Sequence, residues 1–153
     1  HNITDYELLA ARAASVSENF EKTATAIKQY EHRMEQIADL KKHIINYAKT
    51  RDTYVAYREA GYSKKFREEH EEEILLHQAA KNTFDDMGVK KLPKVKELQA
   101  EYARLLDEKK KTYAEYRRSR EEMRELLAAK ANVDRLMGME EEKQEDKDHE
   151  RGR

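Results

Sequence analysis

The chain contains no cysteine, no tryptophan, one proline (Pro93) and four glycines in 153 residues. Without cysteine there can be no disulfide framework and no thiolate metal site, and the redox compartment leaves no mark. No apolar run approaches the ~18 residues of a membrane-spanning helix, and no secretory signal is visible. Charge of one sign is also missing: 31 lysines and arginines face 32 acids, a formal net charge of −1. No global field therefore draws the molecule to nucleic acid or to a membrane surface. Hydrophobic residues make up only 38%, and the mean hydropathy is −1.14. A compact globule of this length would need more apolar surface to offset its chain entropy.

What the sequence does have is charge, at 41% of residues, carried mostly by good helix formers. Such a composition yields either disorder or long helices whose narrow apolar seams need few hydrophobic residues. The scarcity of proline and glycine decides for helices. Three of the four glycines (Gly61, Gly88, Gly138) fall where helices should stop.

Thr4-Asp5-Tyr6-Glu7 reads as a capping box, opening a helix over about 4–60. Its seam, Leu9, Ala13, Val16, Phe20, Thr23, Ile27, Tyr30, Met34, Ile37, Lys41, Ile44 and Ala48, alternates steps of four and three. That is a heptad repeat, imperfect at Thr23 and Lys41, and it predicts coiled-coil packing. Gly61 stops this helix and Ser63 caps a second over about 64–87, with Gly88 after its end. Phe66, Ile74, Leu75, Ala80, Phe84 and Met87 form the second helix's apolar face, with His70 and His77 on the same stripe. Pro93 opens a third helix over about 93–137. Its seam is the cleanest: Val95, Leu98, Tyr102, Leu105, Lys109, Thr112, Tyr116, Ser119, Met123, Leu126, Lys130, Val133 and Met137.

The expected fold is all-α. Residues 1–138 form one elongated domain, an antiparallel coiled-coil-like bundle of two long helices with a shorter helix at or near the tip. Residues 139–153 form a disordered charged tail. An alternative folds the second helix fully back, leaving a helix-one seam that a second copy of the chain would cover, as a homodimer. The opening at His1-Asn2 and the charged end fit a piece of a longer protein.

Catalytic and metal chemistry find little to work with. His70-Glu71 begins like a zinc-protease helix, but Ile74 stands where the second histidine is needed. No Glu-x-x-His pair suits a carboxylate-bridged di-metal bundle, so His70 and His77 read as partly exposed helical histidines. No glycine-rich turn surrounds a serine, so neither a nucleophile elbow nor a phosphate loop can be assembled. The chain reads as no enzyme, with no cofactor and no metal.

The exception to generic charged helix lies between His43 and Phe66. Tyr47, Tyr54, Tyr57 and Tyr62 are interleaved there with Lys49, Arg51, Arg58, Lys64 and Lys65. From Lys41 to Arg67 eight bases face two acids, an excess of six, and five acids then follow in Glu68–Glu73. Tyr47, Arg51, Tyr54 and Arg58 share one helical stripe, where guanidiniums could hold phosphates and rings could stack bases. The candidate nucleic-acid contacts are Lys49, Arg51, Tyr54, Arg58, Lys64 and Lys65. The competing reading fills the tip core with Tyr54, Tyr57, Tyr62 and Phe66, and neutralises the arginines with the acidic run. Lys109-Lys110-Lys111 and Arg117-Arg118-Arg120 read as solvated faces or as further phosphate contacts.

The block INYAKTRDTYVAYREAGYSKKFREEHEEEILLHQAAKNTFDDMGVKKLPKVKELQAEYARLL (45–106), with YAEYR at Tyr113–Arg117 and ELLAAKANVDRLMG at Glu125–Gly138, resembles the helical C-terminal region of relaxases. These are the mobilisation nucleases of conjugative and mobilisable elements of Gram-positive bacteria. The likeness covers most of residues 40–138. It implies a protein of DNA transfer in the bacterial cytoplasm, with DNA at an origin of transfer, relaxosome accessory proteins or the coupling protein as partners. The closely spaced metal-binding histidines of the relaxase nuclease domain are missing, so no tyrosine is assigned as the nicking nucleophile. The implied role is non-catalytic, a helical domain supporting plasmid or transposon mobilisation. The reading from a different class is a structural coiled-coil module for dimerisation or spacing, with no DNA contact.

Overall fold

A computed structural model describes the backbone of residues 2–151 and the side chains of residues 5–139, 142 and 144. The described residues are helical apart from short connections and contain no strand: α1 (Asn2–Glu59), α2 (Lys64–Glu69), α3 (Glu71–Asp86) and α4 (Val95–Arg151). The expected all-α class with two long helices is present. Two compact units organise the chain, His1–Lys28 with Lys109–Arg153, and Gln29–Glu108. The expected capping box rests on Thr4, whose side chain lies outside the described residues.

In the first unit the beginning of α1 runs antiparallel to the later part of α4. Arg12 pairs with Glu122, Asn19 Nδ2 donates to Ser119 Oγ at 2.6 Å, and Phe20 stacks on Tyr116 at 4.8 Å. Ala13, Val16, Thr23 and Ser119 are buried there. Thr23 is tolerated in the apolar seam because its hydroxyl bonds back to the Asn19 and Phe20 carbonyls. A buried hydroxyl so satisfied avoids the desolvation penalty of an orphaned one.

The second unit has three helices. Its core joins Met34, Ile37 and Leu40 of α1, Ala80 and Phe84 of α3, and Leu98 and Leu105 of α4. Burying one such aliphatic side chain contributes about 1.5–3 kcal/mol. α3 runs back along α1: Thr53 meets Glu73, Thr50 meets His77 and His43 meets Thr83. Arg33 reaches across to α4 and donates to both Glu101 oxygens, at 2.8 and 3.1 Å.

The α4 seam follows the heptad reading closely. Leu98, Leu105 and Ser119 are buried, and only Tyr102 of the expected positions is exposed. The α1 seam departs from expectation after Ile37. Leu40 and Thr50 are buried and Ala48 is exposed, because α3 packs here as well and draws the buried arc toward it.

Two other expectations need correction. The second helix is not continuous over 64–87: it breaks at His70 (φ −126°, ψ 28°) into α2 and α3. Phe66 of α2 thereby faces Tyr57 while α3 lies along α1. α4 starts at Val95, after Pro93, and passes through Gly138 to Arg151. A glycine inside a helix costs only about 1 kcal/mol relative to alanine, and the Glu- and Lys-rich stretch beyond it favours helix. Beyond Gly138 the backbone is helical to Arg151, and most side chains of 139–153 lie outside the described residues.

Candidate functional site

The basic tyrosine corner is built by two backbone devices. At the end of α1 the Tyr62 amide donates to the Tyr57 carbonyl and the Gly61 amide to the Arg58 carbonyl, both at 3.0 Å. These two bonds form a Schellman motif, which requires a left-handed residue at Gly61 (φ 67°). Its usual apolar contact is present as the edge-on Tyr57–Tyr62 pair at 5.3 Å. Tyr62 itself is held at φ 59°, an uncommon setting for a residue with a Cβ. Ser63 then caps α2, accepting from the Phe66 amide at 3.4 Å.

Behind the corner the rings form a continuous ladder. Phe84 meets Tyr47 edge-on at 5.7 Å. The His77 imidazole lies between Tyr47 (4.5 Å, 21°) and Tyr54 (4.3 Å, 17°). Tyr54 continues to Tyr57, Tyr57 to Phe66 at 6.0 Å, and Phe66 to His70 at 4.5 Å. Each such ring pair adds about 0.5–1.5 kcal/mol beyond the area it buries.

His77 was expected to be partly exposed, yet only 4% of its surface is accessible. Thr50 gives its hydroxyl proton to the Asn46 carbonyl at 2.7 Å. The 3.0 Å contact between Thr50 Oγ1 and His77 Nδ1 therefore has the imidazole as donor, which assigns the proton to Nδ1. Burial pushes the His77 pKa below the ordinary 6.5, the Lys81 charge lowers it further, and a hydrogen bond to the Tyr47 backbone partly offsets both.

The predicted contact residues separate into two sets. Tyr54 is half-buried, with one face against His77. Lys49, Arg51, Arg58, Lys64 and Lys65 are all exposed. The Tyr47–Arg51–Tyr54–Arg58 stripe is thus divided, tyrosines inward and arginines outward. The ring that reaches solvent is Tyr62, at 56% exposure. Among the described residues the acidic run makes no ion pair with these cations, and Glu73 instead accepts from Thr53. Tyr57 is buried and Phe66 half-buried, as tip-core residues would be.

Elsewhere, Lys110, Lys111, Arg117, Arg118 and Arg120 are exposed on α4, with the Arg117 guanidinium over the Tyr113 ring at 4.8 Å. A groove of about 590 Å³ carries His32, Glu35, Asp39 and Asp86. Among the described residues no three His, Asp or Glu side chains converge in a metal-binding group. No described helix is long and apolar enough to cross a membrane.

Sequence reasoning missed His77 as the centre of the ladder. The available signal was the seven-residue spacing of Tyr47 and Tyr54, which puts two rings two turns apart on one helix face. No protein-family model, no curated protein and no solved structure matches this chain.

Proposed function

We propose that this chain is a non-catalytic helical domain of a relaxase, supporting DNA mobilisation by contact with DNA at the tyrosine corner or by assembly with relaxosome or coupling proteins. Besides the sequence resemblance, one observation supports the DNA-contact form of this reading. Arg58, Lys64 and Lys65 stand exposed at a corner fixed by Gly61 and Ser63, and Lys49 and Arg51 are exposed further back on α1, none of them with an ion-pair partner among the described residues. Charges free of carboxylates keep their attraction for phosphate, and Tyr62 offers an exposed ring at the corner.

The test is a gel shift against single- and double-stranded DNA with Arg51, Arg58, Lys64 and Lys65 changed together to alanine. Each phosphate that the variant no longer neutralises should flatten the logarithmic salt dependence by about 0.7–0.9. Binding that is salt-sensitive and abolished by the four changes supports the corner as the DNA contact. No binding at low salt removes the DNA contact and leaves assembly or the spacer role.

A further inference from the structure

Histidines gather at the seam between α1 and α3. Three of the chain's six histidines sit along it: His43 beside Thr83, His77 beside Thr50, and His70 on the Phe66 ring where α2 gives way to α3. His77 is the most enclosed of the three, since both ring faces are covered by tyrosines and its Nδ1 is committed to Thr50.

We propose that neutral His77 is a latch fastening α3 to α1, and that protonation at Nε2 under mildly acidic conditions loosens it. The tyrosine corner would then lose the packing behind it. This inference does not depend on what the corner binds.

The neighbours of His77 favour the neutral ring. From α1 it meets Tyr47, Tyr54 and Thr50, none of them a carboxylate. On α3 the charge that acts on it is the Lys81 ammonium, one turn further on. Glu73, one turn back, has its carboxylate engaged by Thr53. Lost hydration and the Lys81 charge lower the pKa against the opposing Tyr47 backbone hydrogen bond, while the tyrosine faces offer an imidazolium some cation–π attraction.

The direction of the pH effect follows. The folded chain holds this proton less tightly than the unfolded chain, so the unfolded state binds more protons just below the ordinary value of 6.5. The stability is present in full above that pH and declines as pH falls toward the folded value. Within that window one such group multiplies the unfolding constant by up to about tenfold per pH unit.

The test pairs urea unfolding across this pH range with NMR titration of the histidine rings. His77→Phe keeps a ring between the tyrosines and removes the titration. The other five histidines remain in the variant, so whatever they contribute is common to both proteins. We expect the His77 ring to titrate below 6.5, and the wild type to lose more stability on acidification than His77→Phe. Protection of α3 amides from exchange should fall first in the wild type. A His77 ring titrating at or above 6.5, or equal pH slopes in the two proteins, would overturn the proposal. Should His77→Phe not fold, the wild-type titration decides alone, with the ring assigned by its upward shift in Lys81→Gln.

Discussion

Alanine substitution at three glycines should give effects of opposite sign. Gly61 and Gly88 both sit at φ 67°, and a Cβ at either would meet nothing within 4 Å. Steric crowding by neighbours is therefore absent, and the whole penalty is the left-handed backbone, about 1–2 kcal/mol for a residue with a Cβ. Gly88 has the same motif as Gly61: its amide donates to Asp85 and the Val89 amide to Phe84. Gly138 also has open space around it but lies inside α4 without a positive φ. Alanine there should stabilise by about 0.5–1 kcal/mol through helix propensity. For a chain of this length 1 kcal/mol moves Tm by about 2–4 °C. Gly61→Ala and Gly88→Ala should thus melt several degrees lower in circular dichroism. Gly138→Ala should melt no lower than wild type and show slightly more helical signal at the start of the scan. A Gly138→Ala protein that melts earlier or loses helical signal would refute a helix through that position. Neutral substitutions at Gly61 and Gly88 would refute the Schellman stops.

Two further substitutions test the packing. Ile74 has no accessible surface, so Ile74→Ala should lower stability by about 2–5 kcal/mol in urea titrations; a drop below about 1 kcal/mol would mean that α3 is not seated as described. Arg33→Gln removes both hydrogen bonds to Glu101, a half-exposed pair worth about 0.5–1 kcal/mol near neutrality. The Arg33 hydrogen bonds, aided by the charges of Arg33 and Arg104, hold the Glu101 carboxyl below its ordinary 4.5 despite some opposing burial. That contribution is present above 4.5 and disappears as pH falls through the lower folded value. Wild type and Arg33→Gln should therefore converge in stability once pH has fallen below the folded Glu101 value, and a gap that persists in acid would count against the ion pair.

The long helices were legible because a heptad seam needs only residue spacing. In α4, twelve of thirteen expected positions are buried or half-buried, Tyr102 being the exposed one. Gly61, Ser63 and Gly88 were legible because each does local backbone work that few other residues can do. The break at His70 was not, since neither proline nor glycine marks it and its cause is the docking of Phe66 and α3 on different parts of α1. The rotation of the α1 seam to Leu40 and Thr50 was hidden for the same reason: it depends on a third helix that arrives from later in the chain. Gly138 misled because glycine stops a helix only where the backbone takes the left-handed turn. At the corner the composition was legible but the facing was not. The sequence stripe joined tyrosines and arginines, whereas packing against His77 turned the rings inward and left the cations outside.

The Asn19–Ser119 hydrogen bond has a consequence beyond its own energy. Two helices with seven-residue repeats can slide past each other by one repeat and still set apolar residues against apolar residues. Leucines at both positions would bind more tightly, yet they would accept several offsets almost equally well. A polar pair fits only where donor meets acceptor, so a displaced alignment parts the half-buried Asn19 amide from the buried Ser119 hydroxyl. The weakest-looking pairing in this seam is therefore the vernier mark that selects a single offset.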